Sequence, residues 1–180
     1  MPRVATNGTG RWIVVWESGA TFDDTIGADR DVLYAVSDDD GASGTEARAL
    51  NKNAATDGER HDFAPRIHSD AKGNWIVAWH NESFTGDALA GAFEKDVLMA
   101  CSSDGGETWS DPAFLTDSMT SDTGNDTLAS LASDPAGRWM VAWQSTEKFG
   151  TDPGNDDDIL VSRYLAGLGE TAIRLWNVYE

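Results

Sequence analysis

Several features are scarce in this chain of 180 residues, and each shortage excludes a class of protein. A single cysteine, Cys101, rules out an internal disulfide framework and a zinc site made of cysteines. Only 13 Lys and Arg oppose 31 Asp and Glu, which gives a net charge of −18. Nucleic acids and anionic membrane surfaces both need clustered cations, so neither is an expected partner. No apolar run approaches the ~20 residues of a membrane span, and residues 1–8 lack the apolar stretch of a signal peptide.

Tryptophan, in contrast, is abundant, and its positions repeat. Six of the eight tryptophans form three pairs, and the pairs follow one another at spacings of 63 and 64 residues. The pairs are Trp12 with Trp16, Trp75 with Trp79, and Trp139 with Trp143. A second shared segment follows each pair and begins at Asp31, Asp96 and Asp158. Three copies in the same register indicate a repeat architecture.

Each copy predicts four short β-strands, and no segment has a helical period. In the second copy the predicted strands cover residues 65–69, 75–81, 96–101 and 108–115. The second of these strands is apolar on both sides, with Trp75, Val77 and Trp79 on one face and Ile76 and Ala78 on the other. This strand is therefore expected to be covered on both faces.

Four-stranded sheets that need a neighbour on both faces are typical of the blades of a β-propeller. The predicted fold class is accordingly all-β, with three blades over residues 2–53, 65–116 and 129–180. A β-sandwich is the alternative, but it gives no reason for the strands to repeat in groups of four.

The loop after the third strand of the second copy, residues 102–109, carries a family resemblance. It resembles the Asp-box, Ser-x-Asp-x-Gly-x-Thr-Trp, of sialidase-like (BNR-repeat) propellers. The matching residues are Ser102, Asp104, Gly106, Thr108 and Trp109. Residues 37–44 form a degraded version in the first copy, and residues 164–171 have lost the Asp and the Trp. In that family the Asp-box is a structural turn on the face away from the active site.

Elementary chemistry agrees with a structural role for this loop. Asp104 can accept hydrogen bonds from backbone N–H groups of the turn, and Gly106 can adopt a positive φ. Trp109 can pack between blades.

The resemblance also implies a site in which three arginines bind a carboxylate, beside a Tyr–Glu pair and an acidic proton donor. Arg3 and Arg66 stand at the start of the predicted innermost strands, next to the central channel, and are the candidate ligand-binding residues. Ser130 has this place in the third copy. No Tyr–Glu pair and no catalytic residue can be assigned, so the favoured interpretation is that both arginines are repeat residues lining the channel.

More than half of the acidic residues fall in the loops from second to third strands and from blade to blade, which a propeller places on one face. Clustered carboxylates in Gly-rich loops can bind Ca²⁺, which takes six to eight oxygen ligands. The candidate ligands are Asp152, Asp156, Asp157 and Asp158 in one loop and Asp23, Asp24 and Asp29 in another. The favoured alternative is that these loops are solvated and keep the protein soluble. No other cofactor motif is present.

Three blades do not close a propeller, whose rings typically have four to eight. Exposed apolar faces on the outer blades predict association. Two chains would supply six blades, the number that sialidase propellers use, so a homodimer that forms one ring is expected. A nine-bladed trimer and a fragment of a longer chain are the alternatives.

The sequence predicts a non-catalytic propeller module that binds a glycan or a protein on its acidic loop face. The alternatives are a glycoside hydrolase of the sialidase type and an engineered propeller fragment without a biological ligand. The family resemblance favours an extracellular or cell-surface location.

Overall fold

The computed structural model describes residues 1–22, 26–58, 60–84, 93–115, 124–146 and 157–165. Over these segments the chain is all-β, with three antiparallel sheets and no helix. Consequently none of these segments contains a helix that could cross a membrane.

The three sheets follow one another along the chain, and each begins a new copy of the repeat. The first contains β1 (Arg3–Thr6), β2 (Trp12–Ser18), β3 (Asp31–Ser37) and β4 (Arg48–Ala49), in that spatial order. The second contains β5 (His61–Ser69), β6 (Trp75–Phe84), β7 (Phe93–Ser102) and β8 (Ala113–Phe114), again in order. The third contains β9 (Asp126–Ser133), β10 (Arg138–Ser145) and β11 (Asp158–Leu165), while the predicted fourth strand lies outside the described residues.

All four strands of the second sheet differ from their predicted bounds. β6 ends three residues later than predicted, at Phe84, and β7 covers Phe93–Ser102 instead of residues 96–101. β5 begins at His61, four residues before the predicted start, because it continues through a β-bulge. β8 has only two residues, Ala113 and Phe114, because the residues before it form the turn that follows β7.

The first hairpin of each sheet is closed by an Asx turn at the same repeat position. These turns are centred on Asn7, Asp70 and Asp134. In the second sheet, Asp70 Oδ1 accepts hydrogen bonds from the N–H groups of Lys72 at 2.8 Å and Asn74 at 3.1 Å. A short side chain that satisfies turn N–H groups sets the strand register locally, which explains why the three hairpins are alike.

The first and second sheets pack face to face through the repeated apolar strands. Ile13 and Val15 of β2 lie in one buried cluster with Trp75, Val77 and Trp79 of β6. All five side chains are 1% exposed or less.

The opposite face of β6 packs on the third sheet in the same manner. Ile76 and Ala78 share a buried cluster with Trp139, Val141 and Trp143 of β10. The second sheet is therefore covered on both faces, as the sequence predicts, and each tryptophan-bearing face meets the preceding sheet.

The outer sheets each keep one apolar face that nothing in the described structure covers. On the first sheet, Trp12, Val14 and Trp16 are half-buried, although their counterparts on β6 are fully buried. On the third sheet, Met140 is 43% exposed, and Ala142 is half-buried. In the repeat, these two uncovered faces are the counterparts of the two faces of the second sheet, both of which are buried.

Candidate functional site

A β-bulge near the start of β5 sets the position of Arg66. Phe63 pairs with His80 and Arg66 pairs with Ala78, so β5 has one extra residue between these two pairs. Ala64 lies in this bulge with a φ of 50°, a conformation that is uncommon for a residue other than glycine. The third sheet repeats the feature, because Leu128 lies at a register shift of β9 with a φ of 57°. Bulges redirect the side chains that follow them and are frequent beside functional sites.

Glu17, at the end of β2, links this bulge to the first sheet. Its Oε2 accepts a hydrogen bond from the Ala64 N–H at 3.2 Å. The carboxylate therefore stabilises the left-handed backbone just before Arg66 and brings a negative charge beside it.

Arg3 and Arg66 have corresponding positions on adjoining strands. Arg3 pairs with Val15 as Arg66 pairs with Ala78, and β1 lies beside β5. Both side chains are half-buried. Burial lowers the pKa of Arg66, the nearby charge of Arg3 lowers it further, and Glu17 opposes both effects. The positive charges of the two guanidinium groups therefore repel each other.

The hydrogen bonds of these arginines are weak and go to backbone oxygens. Arg66 Nη1 donates to the carbonyls of Pro65 at 3.3 Å and Ala64 at 3.4 Å, and Arg3 Nη1 donates to the Pro2 carbonyl at 3.3 Å. Neither forms an ion pair with a carboxylate within the described segments. Guanidinium groups fork carboxylates with paired hydrogen bonds, so this pair can hold an anionic group. Ser130 has the equivalent register position on β9 and is exposed.

A neutral histidine lies next to the arginine pair. The ring of His80 stacks on Phe63, with 5.7 Å between centroids and an angle of 27° between planes. Burial lowers the pKa of His80 to about 4; the charges of Lys95 and Arg66 act in the same direction, and two glutamates oppose them. At neutral pH this imidazole is uncharged.

The predicted Asp-box residues form a tight hydrogen-bonded turn between β7 and β8. Asp104 Oδ1 accepts from the Thr108 N–H at 3.0 Å and from the Ser102 hydroxyl at 2.7 Å. The Gly106 N–H donates to Ser102 Oγ at 2.8 Å, and Gly106 has a φ of 88°. Trp109 is buried against Tyr34 of the first sheet, with ring centroids 5.9 Å apart.

The degraded first copy of this motif makes the same turn. Asp39 Oδ1 accepts from the Ser43 N–H and from the Ser37 hydroxyl, both at 2.8 Å, and the Gly41 N–H donates to Ser37 Oγ at 2.9 Å. Gly44 stands in place of the tryptophan. A hydroxyl, a carboxylate and a glycine at this spacing therefore suffice for the turn, and the tryptophan adds the packing.

The predicted metal ligands are not brought together in the described part of the chain. Asp23, Asp24, Asp152 and Asp156 lie outside the described residues; Asp157 is exposed and Asp158 is buried at the start of β11. Asp29 instead joins two residues that the sequence did not single out as ligands, Asp31 and Asp57. Each of the three offers a carboxylate oxygen, and these oxygens lie within 4.8 Å of one another.

Several aspartates that the sequence assigns to solvated loops are buried instead, and all of these except Asp29 lie within strands. Besides Asp70 in its hairpin turn, six aspartates of these segments are 7% exposed or less, namely Asp29, Asp31, Asp62, Asp96, Asp126 and Asp158. Asparagines donate a hydrogen bond to two of them: Asn51 to Asp31 at 2.9 Å and Asn81 to Asp62 at 2.7 Å. Burial raises the pKa of Asp62 to about 8, with a further rise from the charges of Asp57 and Asp31 and an opposing effect of Asn81. The available signal in the sequence was the repeated Asp that begins the second shared segment of each copy, at Asp31, Asp96 and Asp158.

The arrangement of the sheets resembles that of solved sialidase and trans-sialidase structures. The Hadza microbial sialidase Hz136 matches 94% of the chain with a TM-score of 0.65 and 18% identity. The intramolecular trans-sialidases of Ruminococcus gnavus and of leech each match 90% of the chain with TM-scores of 0.57, at 12% and 11% identity.

The chain has a sialidase-like fold. It spans 35% of the length of the Hadza microbial sialidase, 57% of the Ruminococcus gnavus enzyme and 41% of the leech enzyme. No protein-family model and no curated protein sequence matches the chain. The likeness therefore rests on the three-dimensional arrangement of the strands.

Tyr34 is packed in the core between the first two sheets. Its side chain is 6% exposed and belongs to the cluster between the first and second sheets. The edge-on contact with Trp109 fills that interface, and β2 separates Tyr34 on β3 from Arg3 on β1.

Proposed function

We propose that this chain is a carboxylate-binding module of a sialidase-like propeller, and that it binds an acidic sugar without cleaving it. The observation that carries the proposal is the pair formed by Arg3 and Arg66. Two half-buried guanidinium groups lie on adjoining first strands, and neither has a carboxylate partner in the described segments. Because the solved neighbours are sialidases and trans-sialidases, the proposed ligand class is a sialic acid.

The groups around the pair support binding rather than catalysis. Glu17 accepts a backbone hydrogen bond from Ala64 and neighbours Arg66, so it stabilises the site. His80 is neutral at physiological pH and stacks on Phe63, over whose ring Arg30 also lies. We propose that the His80 ring offers the sugar a flat surface near Arg66. A sugar carboxylate on the arginines with its ring against this surface is the arrangement that we propose.

Calorimetric titration with N-acetylneuraminic acid and with its methyl ester tests the binding. The ester keeps the sugar but removes the negative charge, so we expect its affinity to fall at least about tenfold because a charge-assisted pair of hydrogen bonds is lost. Arg66→Ala should weaken binding of the acid to a similar extent. Arg48→Ala, at an exposed arginine of β4, is the control and should bind normally. Equal affinities for acid and ester would contradict the proposal.

A sialidase-type glycoside hydrolase is the second candidate function, and the likeness to a sialidase and two trans-sialidases favours it. A fluorogenic sialoside distinguishes the two functions. Turnover by the wild-type chain that is lost in Arg66→Ala would establish hydrolysis, whereas binding of the acid without turnover supports the non-catalytic module.

We also propose that a second copy of the chain covers the two uncovered apolar faces. In one copy, the uncovered face with Trp12 and Val14 is the counterpart of the β6 face that packs on the preceding sheet. In the other copy, the uncovered face with Met140 and Ala142 is the counterpart of the β6 face that packs on the following sheet. Such faces are complementary, so two chains of three sheets would form a closed six-bladed ring with two-fold symmetry.

Light scattering tests this assembly. We expect a dimer at micromolar concentration and a monomer for Met140→Lys, which puts a charge in the proposed interface. Phe114→Lys is the control, because Phe114 is 42% exposed on β8, away from both faces. A monomeric wild-type chain would exclude the dimer and would leave further blades of a longer chain as the cover.

A further inference from the structure

We infer that Asp29, Asp31 and Asp57 bind a divalent cation, Ca²⁺ first, and that the ion links the β2–β3 loop to the connection between the first two sheets. Asp29 and Asp31 lie at the end of that loop, whereas Asp57 comes from the chain that leads into β5. The three residues are therefore supplied by two segments that meet only in the folded protein.

The spacing of the three carboxylates suits one ion. An oxygen of each lies within 4.8 Å of an oxygen of the other two. Oxygens that share a Ca²⁺ at about 2.3–2.6 Å cannot be further apart than roughly twice that distance. The group thus has the dimensions of a coordination shell without any rearrangement of the backbone.

Asp29 provides the second, independent observation. The residue is only 4% exposed, and both of its carboxylate oxygens are buried without a hydrogen-bond donor in the described segments. Gly27 leaves room for the Asp29 side chain, because a Cβ atom on residue 27 would lie only 2.2 Å from Asp29 Oδ1. A buried carboxylate with no partner is costly unless a cation or a proton compensates it.

The neighbouring carboxylates add to that cost. Asp31 is fully buried and accepts from Asn51 with Oδ1, while its Oδ2 has no donor in the described residues. Oxygens of Asp29 and Asp57 lie within 4.8 Å of an Asp31 oxygen, so the three carboxylates repel one another when ionised. A single proton neutralises one carboxylate of the three, whereas a divalent cation in their midst relieves the repulsion among all of them.

Other oxygens lie next to the carboxylates. Asn53 donates its Nδ2 to Asp57 Oδ2 at 2.9 Å, and its own Oδ1 is buried without a donor among the described residues. The Ala54 carbonyl, which accepts from the Gly27 N–H at 2.8 Å, lies on the same side of Gly27 as Asp29 Oδ1. A set made only of oxygens, without His or Cys, favours Ca²⁺ over zinc.

The test begins with chelator-treated protein and calcium chloride. Calorimetry should detect one ion bound per chain, and saturating Ca²⁺ should raise the melting temperature by about 5 °C, because a ligand that binds only the folded state stabilises it. Absence of both heat and a thermal shift at millimolar Ca²⁺ would overturn the inference.

Two variants separate metal binding from simple loss of structure. Asp29→Asn and Asp57→Asn should abolish the Ca²⁺ response, yet in chelator both should melt at or above the wild-type temperature, because one repelling charge has been removed. Asp40→Asn is the matched control: Asp40 is exposed and has a φ of 58°, which Asn also tolerates. Retention of the full Ca²⁺ response in Asp29→Asn would contradict the site.

Discussion

Ile13 of the first sheet occupies the space into which a side chain at Gly106 of the second sheet would project. A Cβ atom built on Gly106 would lie 2.3 Å from Ile13 Cδ1, and Gly106 has a φ of 88°. The turn after β7 therefore does two things: it closes the second sheet and it packs against the buried face of the first. The packing requirement is specific to this copy, because the equivalent Gly41 has a φ of 85° but no atom within 4 Å of such a Cβ.

Gly106→Ala should therefore destabilise the protein more than Gly41→Ala. Both variants place a side chain in the left-handed region, which costs about 1 kcal/mol. Only Gly106→Ala also collides with the core, which costs about 1–3 kcal/mol more. Urea unfolding of both variants measures the difference, and equal free energies of unfolding would show that Ile13 moves aside without cost.

Acid should weaken the Asp-box turn. Hydrogen bonds from the Thr108 hydroxyl and N–H and from Ser102 lower the pKa of Asp104 to about 2. A pKa below the unfolded value means that this contribution is complete above about pH 4 and is lost as pH falls toward 2. The effect should be small, because the carboxylate is exposed and solvent screens it. Melting temperatures between pH 2 and pH 5 should fall less steeply in Asp104→Asn than in the wild type.

His80 should produce a second pH dependence in a milder range. Burial, with the charges of Lys95 and Arg66, lowers its pKa to about 4, while Glu82 and Glu17 oppose the shift. The unfolded chain takes up this proton near pH 6.5, so stability should be complete above that pH and should decline by on the order of 1–2 kcal/mol as pH falls toward 4.

His80→Gln isolates this contribution in urea unfolding at pH 4.5 and 7.5. The difference between the two pH values should shrink, although His68, whose pKa burial also lowers, leaves a remainder. An unchanged difference would mean that His80 is protonated in the folded protein.

The repeated tryptophans should differ in their contribution according to which sheet carries them. Trp79 is 1% exposed, and Trp79→Ala should cost about 3–5 kcal/mol through lost burial and the cavity left behind. Trp16 has the same repeat position on β2 but is half-buried, so Trp16→Ala should cost less in a monomer. A cost for Trp16→Ala that approaches that of Trp79→Ala and depends on protein concentration would indicate that another blade covers the first sheet.

A large part of the fold could be predicted from local patterns. The spacing of Trp75, Val77 and Trp79 against Ile76 and Ala78 predicted a strand covered on both faces, because side chains alternate along a strand. The turns at Asn7, Asp70 and Asp134 are also local, since each side chain bonds the backbone within four residues. The positions of Arg3 and Arg66 on the first strands followed from the repeat alone.

The bulge before Arg66 was not predictable in the same way. Ala64 and Leu128 adopt a positive φ without being glycine or asparagine, so their residue types carry no signal for it. For Ala64, the backbone conformation is stabilised by a carboxylate from another sheet, Glu17. That contact exists only when two copies of the repeat stand side by side.

By itself the sequence determined the repeat, the strands, their turns and their apolar faces, because these depend on neighbours within a few residues. The tertiary structure alone decided which carboxylates are solvated and which are buried. Asp29 and Asp57 look like ordinary loop residues in the sequence. In the folded chain Asp29 is buried, and the carboxylates of Asp29 and Asp57 both lie close to that of Asp31. The pKa of a carboxylate, and its ability to hold an ion, depend on charges and burial contributed by distant segments.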